Sequence, residues 1–255
     1  MKKDYEKIKM KKNEIRRKIW DLMVERKIAR FPFPPHGRIP NFHGSEKCAI
    51  HFDGLKNWKN AEIVKINPDS PQKSVRLRAL KEGKKLLMPT PRIREGFLLV
   101  DSERLSESKL DSASTIKGAF RFGVKLDSVQ KLMKLEKVDF IVEGSVAVNN
   151  LGQRLGKGAG YGDLEFGILS ELELVDGKIP VVTTVHQIQI VNTPIPQGIH
   201  DVSLNCIITP DRVVEIDRPP KRPPGIIANI LDPEKIREIP LLKELSSILS
   251  SEKQQ

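Results

Sequence analysis

Between Tyr5 and about Ala29 the apolar residues Ile8, Ile15, Ile19, Leu22 and Met23 return at helical spacing among charged neighbours, which predicts one long amphipathic helix. The pattern breaks at Arg30-Phe31-Pro32-Phe33-Pro34-Pro35-His36-Gly37-Arg38-Ile39-Pro40. Prolines there withdraw backbone donors and push their preceding residues toward extended backbone. This stretch is expected to cross the surface as a candidate binding loop before a second helix near Ser45 to Trp58.

Beyond it, β-type runs alternate with helical ones. Glu62 to Ile66 reads as a strand, about Ser70 to Glu82 as a helix, and Lys85-Leu86-Leu87-Met88 as a strand ended by Pro89-Thr90-Pro91-Arg92. A helix after Asp127-Ser128 leads to a strand over Val138 to Val148, and a helix after residue 163 leads to Val181-Val182-Thr183-Thr184-Val185-His186. This βαβ rhythm predicts an α/β protein with several parallel strands. The short segments Ile188 to Val191, Val202 to Ile208 and Arg212 to Ile216 predict further strands of that sheet or an edge hairpin. After Asp217, Arg218-Pro219-Pro220-Lys221-Arg222-Pro223-Pro224-Gly225 reads as a semi-rigid spacer and residues 226–255 as a short helical, polar-ending tail. The expected division is therefore one α/β domain over residues 1–217, with spacer and tail over 218–255.

A chain of 255 residues that is 38% hydrophobic and 30% charged can bury a substantial core, which places it in the soluble globular class. It shows neither an 18-residue apolar run nor a signal-peptide core, so a cytoplasmic protein without a membrane partner is expected. Cys48 and Cys206 lie far apart without C-x-x-C spacing; free buried thiols are expected rather than a zinc site or a disulfide framework. The net charge of +11 is uneven, because residues 1–30 carry twelve Lys or Arg against five Asp or Glu. Two readings of that helix stand: a solvated basic face, or an arm that binds RNA through phosphates.

Chemistry concentrates in Arg154-Leu155-Gly156-Lys157-Gly158-Ala159-Gly160-Tyr161-Gly162-Asp163, where four glycines alternate beside two cations and a carboxylate. Glycine tolerates positive φ and lets successive N–H groups turn toward one anion. A strand before the loop and a helix after it, capped by Asp163, would complete an anion-binding arrangement. Arg154 and Lys157 can neutralise phosphate, and Asp163 offers the oxygen that magnesium prefers. An ordinary tight surface turn explains the glycines equally well. The loop lacks the G-K-[ST] ending of a Walker motif, and no acidic ribose reader follows as in a dinucleotide fingerprint.

Taken with Arg38-Ile39-Pro40-Asn41-Phe42, Asn67-Pro68-Asp69, Pro89-Thr90-Pro91-Arg92, Gly144-Ser145-Val146-Ala147-Val148 and Ile208-Thr209-Pro210, the loop gives a chain that resembles the 5-formyltetrahydrofolate cyclo-ligase family over roughly residues 10–216. Within the family it resembles the branch holding archaeal proteins and the animal methenyltetrahydrofolate-synthetase-domain-containing protein. The resemblance implies a Rossmann-like three-layer α/β sandwich of the ribose-phosphate isomerase and glucosamine-phosphate deaminase type. It also implies an ATP- and magnesium-dependent ligase. ATP would phosphorylate the formyl oxygen of 5-formyltetrahydrofolate, a second folate nitrogen would attack the activated carbon, and phosphate would leave to give 5,10-methenyltetrahydrofolate.

By the same resemblance, Lys12 and Arg16 fall on a basic pair of the first helix, although their spacing is equally that of a solvated stripe. Arg154, Gly156, Lys157, Gly158, Gly160, Tyr161 and Gly162 fall on the nucleotide loop, and Asp163 and Asp201 on the metal carboxylates. The chain departs from the family at Gly162 and Leu164, where G-Y-Y-D-R is usual, and at Ala159, where the loop lacks a basic residue. It also reads Ile66-Asn67-Pro68-Asp69-Ser70 where an E-x-x-T segment holds folate. His186, at a predicted strand end, is a minor ligand candidate beside its structural reading as a hydrogen-bonded histidine. Replacing Arg154 and Lys157 together with Ala is expected to remove nucleotide binding and leave the fold intact. The alternatives to the cyclo-ligase are a catalytically decayed nucleotide- or RNA-binding relative, and an ATP-dependent enzyme acting on another one-carbon carrier or small amide.

Overall fold

The computed structural model describes residues 2–252, with side chains placed for residues 6–248. Eight strands form one sheet: β1 (Ile63–Ile66), β2 (Lys85–Pro89), β3 (Phe97–Asp101), β4 (Val124–Leu126), β5 (Phe140–Glu143), β6 (Val181–Thr184), β7 (Cys206–Ile208) and β8 (Val213–Glu215). Their spatial order is β8-β7-β6-β5-β1-β2-β3-β4. The central five, β7-β6-β5-β1-β2, run parallel, and antiparallel strands finish both edges. In register, Ile66 lies beside Val142, and Glu143 lies beside Thr183. The carboxyl ends of β1, β5 and β6 therefore meet on one rim, where parallel sheets build ligand sites.

Side chains alternate between two apolar layers, as the period of a strand requires. Val64, Leu86, Phe140, Val142, Val182 and Ile208 face the layer that includes Ile19, Met23, Phe52, Trp58 and Leu80. Ile63, Leu87, Ile141, Val181 and Ile207 face the layer that includes Phe166, Ile168, Leu169, Leu241 and Leu245. Helices thus cover both faces, and the three-layer α/β arrangement expected from the resemblance is present. Each large side chain fully withdrawn from water contributes roughly 1.5–3 kcal/mol to this core.

The first helix, α1, spans Lys2–Glu25 and stops short of Ala29, because Ala29–Arg30 instead pairs antiparallel with Asn41–Phe42. The helix expected from Ser45 to Trp58 is a 3₁₀ segment over Ser45–Gly54 followed by one α-turn at Lys56–Asn60. The Ser70–Glu82 helix opens as a 3₁₀ turn and becomes α2 at Lys73–Lys81. The expected strand over Val138 to Val148 is divided: after β5, Gly144-Ser145 turns the chain and Ala147–Val148 pairs with Arg154–Leu155 in a separate hairpin. Gln187–Gln189 is a 3₁₀ turn instead of a strand, whereas the edge hairpin is β7 with β8. The stretch between Arg92 and Leu126, which carries no sequence expectation, supplies β3, β4, α3 (Glu107–Ala113) and α4 (Ile116–Phe122). Among the described residues no helix is long and apolar enough to cross a membrane. Both cysteines are free and buried.

The glycine loop leads into α5 (Tyr161–Glu171). Asp163 does not cap it. Gly160, in the left-handed conformation at φ 69°, is the cap, and Asp163 sits inside the first turn. Residues after Asp217 then cross α5: Ser170 Oγ donates to the Pro224 carbonyl at 2.7 Å, and the Ile226 N–H donates to Glu171 at 2.9 Å. The final helix, α6 (Pro240–Glu252), seats Leu241, Leu242 and Leu245 in the second apolar layer.

Candidate functional site

A cavity of about 430 Å³ opens between α1, the glycine loop, Asp201 and the C-terminal segment, a size in the range of small-molecule sites. The amphipathic face of α1 turns Lys12 and Arg16 inward, and each is only 8% exposed. Solvated positions on a helix would not be so covered, so the stripe reading of these two residues does not hold. Arg16 donates from Nε to the Gly156 carbonyl at 2.7 Å and lies across Gly158, whose φ of 108° is a conformation that glycine adopts without strain. Lys12 Nζ meets Asp201 Oδ2 at 2.5 Å.

Arg154 and Lys157 are placed differently. Arg154 is 4% exposed and lies on the cavity floor. Its guanidinium donates to Asp163 Oδ1 at 2.5 Å and to the Gly144 carbonyl at 3.0 Å, with Glu143 at 3.6 Å. Burial would lower its pKa, but Asp163 and Glu143 hold it above the ordinary arginine value. Arg154 thus neutralises the buried Glu143 and the largely covered Asp163, and its replacement by Ala would leave both carboxylates without that partner. Lys157 is the exposed cation of the loop, 3.5 Å from Asp69.

Asp163 and Asp201 meet at the same cavity. Asp163 also accepts the Val202 N–H at 3.0 Å. Burial pushes its pKa up, yet Arg154 and the Val202 N–H outweigh burial and hold it below the ordinary aspartate value. Among the described residues, no set of three or more His, Cys, Asp or Glu could hold a metal alone. Asp163 and Asp201 nevertheless offer carboxylate oxygens to this cavity, and a magnesium ion that keeps waters and phosphate oxygens as its other ligands needs only one or two protein carboxylates. Among the described residues, no N–H from Gly156 to Gly162 finds a protein acceptor, and the last two open α5, where helix N–H groups attract anions. Tyr161 lines the cavity beneath Lys235, whose Nζ is 5.1 Å from the ring centroid.

Behind the loop lies a cluster of charges. Lys65 Nζ is 2.5 Å from Glu143 and 2.6 Å from Glu165, all three being buried. Burial would lower the lysine's pKa, but the two carboxylates raise it. Burial pushes Glu165 up to about 7, Lys65 opposing and Glu143 adding to the shift. The second oxygen of Glu143 has no hydrogen-bond partner. It fills the space beside Gly162, where a Cβ would come within 2.7 Å of it, so a larger residue at 162 would have to displace the Glu143 carboxylate. Asn67 joins Glu165 at 3.0 Å, and Arg76 holds the carbonyls of Asn67 and Asp69. The segment that departs from E-x-x-T therefore lies directly under the glycine loop.

His186 does not line the cavity. It caps the 3₁₀ turn after β6 by accepting the Ile188 N–H, and stands edge-on to Phe42. Sequence reasoning passed over Lys65, Glu143, Glu165 and Lys235. A lysine inside Ile-Val-Lys-Ile and a glutamate ending Phe-Ile-Val-Glu were signals for the first two. Nothing local marks Lys235.

The sequence profile of the 5-formyltetrahydrofolate cyclo-ligase family matches residues 8–210. The chain is 37% identical over 239 residues to the methenyltetrahydrofolate synthase domain-containing protein of Bos taurus, covering 92% of this chain and 61% of that protein. It is 36% identical to the human protein of that name, over the same shares of each chain. It thus spans about three fifths of the length of these curated relatives. The NMR structure of Aquifex aeolicus 5,10-methenyltetrahydrofolate synthetase superposes with a TM-score of 0.50 at 20% identity, covering 82% of this chain and 94% of the other, which shows a shared fold. The profile takes in α1, the glycine loop and the Asp201 segment together, and the chain belongs to the 5-formyltetrahydrofolate cyclo-ligase family.

Proposed function

We propose that the chain is an ATP- and magnesium-dependent cyclo-ligase that converts 5-formyltetrahydrofolate, or a related formyl pterin, to the methenyl product with release of ADP and phosphate. The observation that carries this reading is the cavity itself, in which Arg16 lies against Gly158 and the N–H groups of the lining residues Gly156, Gly158, Ala159, Gly160 and Tyr161 have no protein acceptor. Arg16, Lys157 and those N–H groups bind the phosphate chain of ATP and stabilise charge on the transferred group, the main catalytic need in phosphoryl transfer. Arg154 is a positioning residue, holding Asp163 and the Gly144 turn. Asp163 and Asp201 would hold the magnesium ion, which would neutralise phosphate charge.

In the reaction the formyl oxygen takes the γ-phosphoryl group, a second folate nitrogen closes the ring on the activated carbon, and phosphate leaves with that oxygen. No protein nucleophile is required. The assay mixes protein with magnesium-ATP and 5-formyltetrahydrofolate and follows the near-ultraviolet absorbance of the methenyl product. ATP-dependent growth of that absorbance is expected; its absence, with folded protein and bound ATP, would overturn the substrate.

A further inference from the structure

Besides the exposed Lys9, four cations from three parts of the chain border the cavity, and their partners differ. Lys12 is paired with Asp201 and Arg154 with Asp163. Arg16 and Lys235 have no carboxylate within 4 Å among the described residues. Lys235 lies 25 residues beyond the end of the family-matched segment at residue 210. It is carried there by the strap that Ser170 and Glu171 fasten across α5 and that α6 anchors in the core. Its Nζ donates to the Ala159 carbonyl at 2.5 Å and stands 5.1 Å from the centroid of the Tyr161 ring. Ala159 itself brings no charge to the loop. Ile226, Ile227, Ile230 and Leu231 from the same strap line the cavity beside it.

We propose that Lys235 is a phosphate-binding residue of the nucleotide site, delivered to the glycine loop by the C-terminal strap, so that this site is completed by a segment outside the family-matched region. The inference rests on the nucleotide reading given above. An ammonium held by one carbonyl and one aromatic face keeps donors for an incoming anion, and no carboxylate has to be displaced. Arg16 and Lys235 approach the loop from α1 and from the strap, so a phosphate chain on the loop is gripped by both. Burial lowers the Lys235 pKa, with Asp232 and Asp163 pulling it back up in part, and a bound phosphate would restore full charge.

The test titrates full-length protein calorimetrically with magnesium-ATP and, separately, with adenosine, comparing wild type, Lys235→Ala and Lys235→Arg. Thermal unfolding of each variant checks that it is folded. Lys235→Ala is expected to raise the Kd for ATP about tenfold, a single charge-assisted contact's worth, and to leave adenosine binding unchanged. Lys235→Arg is expected to recover most of the ATP affinity. Equal ATP affinity in wild type and Lys235→Ala overturns the inference alone. Equal weakening of ATP and adenosine overturns the phosphate contact, since it shows that the residue only shapes the wall. Wild-type protein that does not bind ATP overturns the nucleotide reading and this inference together.

Discussion

Arg154 donates to Asp163 across the floor of the cavity at 2.5 Å, with the arginine almost wholly out of water and the aspartate largely covered. The loop's most conspicuous cation is therefore engaged inside the protein. Breaking a buried pair leaves the surviving charge uncompensated, at a cost of about 3–5 kcal/mol. Arg154→Ala is expected to lose that much stability in urea unfolding, because Asp163 and Glu143 both lose their neutralising partner. Arg154→Ala that unfolds at the wild-type midpoint would contradict the placement.

Lys157 gives the opposite result. Its side chain is 42% exposed and its carboxylate neighbour Asp69 is 3.5 Å away, so Lys157→Ala should shift stability by no more than about 0.5 kcal/mol. ATP affinity should nevertheless fall several-fold, and more at low salt than at high salt, because the contact is solvent-screened. Calorimetric titration at two ionic strengths checks both statements.

The contrast between these two residues shows what the sequence could and could not disclose. Alternating glycines, the strand before them and the helix after them were legible because they obey local rules of φ and of hydrophobic period. So were α1 and the parallel strands. Which cation would be buried was not legible, because the partners of Arg154 arrive from β5, from α5 and from the segment before β7. The antiparallel strands β3 and β4 were missed for a related reason: Phe97-Leu98-Leu99-Val100 is a continuous apolar run with no alternation to name it a strand, and α3 and α4 are only seven residues each. Lys235 is invisible locally, since only the packing of α6 brings its strap to the loop.

Gly162 is fixed by a neighbour instead of by its own φ. A methyl group there would come within 2.7 Å of Glu143 Oε2, closer than atoms tolerate. Gly162→Ala is expected to cost about 1–3 kcal/mol, the range for overpacking a filled interior. The cost should shrink when Glu143→Ala is made as well, because the opposing oxygen is gone. A double-mutant cycle by urea unfolding measures that coupling, and strict additivity would refute the steric account.

Glu165 makes stability depend on pH in a direction opposite to that of most carboxylates. Burial raises its pKa from the ordinary glutamate range to about 7, against the pull of Lys65. Between those two values the folded state holds a proton that the unfolded state has released, so the native protein binds more protons and stability falls as pH rises. The stabilising contribution is complete below about pH 4.5 and is lost as pH passes through about 7. Asp163, whose pKa is lowered, acts in the opposite sense at more acidic pH, so the raw stability curve mixes the two. The difference between wild type and Glu165→Gln isolates the glutamate, because the amide cannot ionise and Asp163 is common to both. Urea unfolding at pH 5 and pH 8 is expected to show wild type losing on the order of 2 kcal/mol relative to Glu165→Gln over that interval. A constant difference between the two proteins would mean that Glu165 is already ionised at pH 5, with Lys65 outweighing its burial.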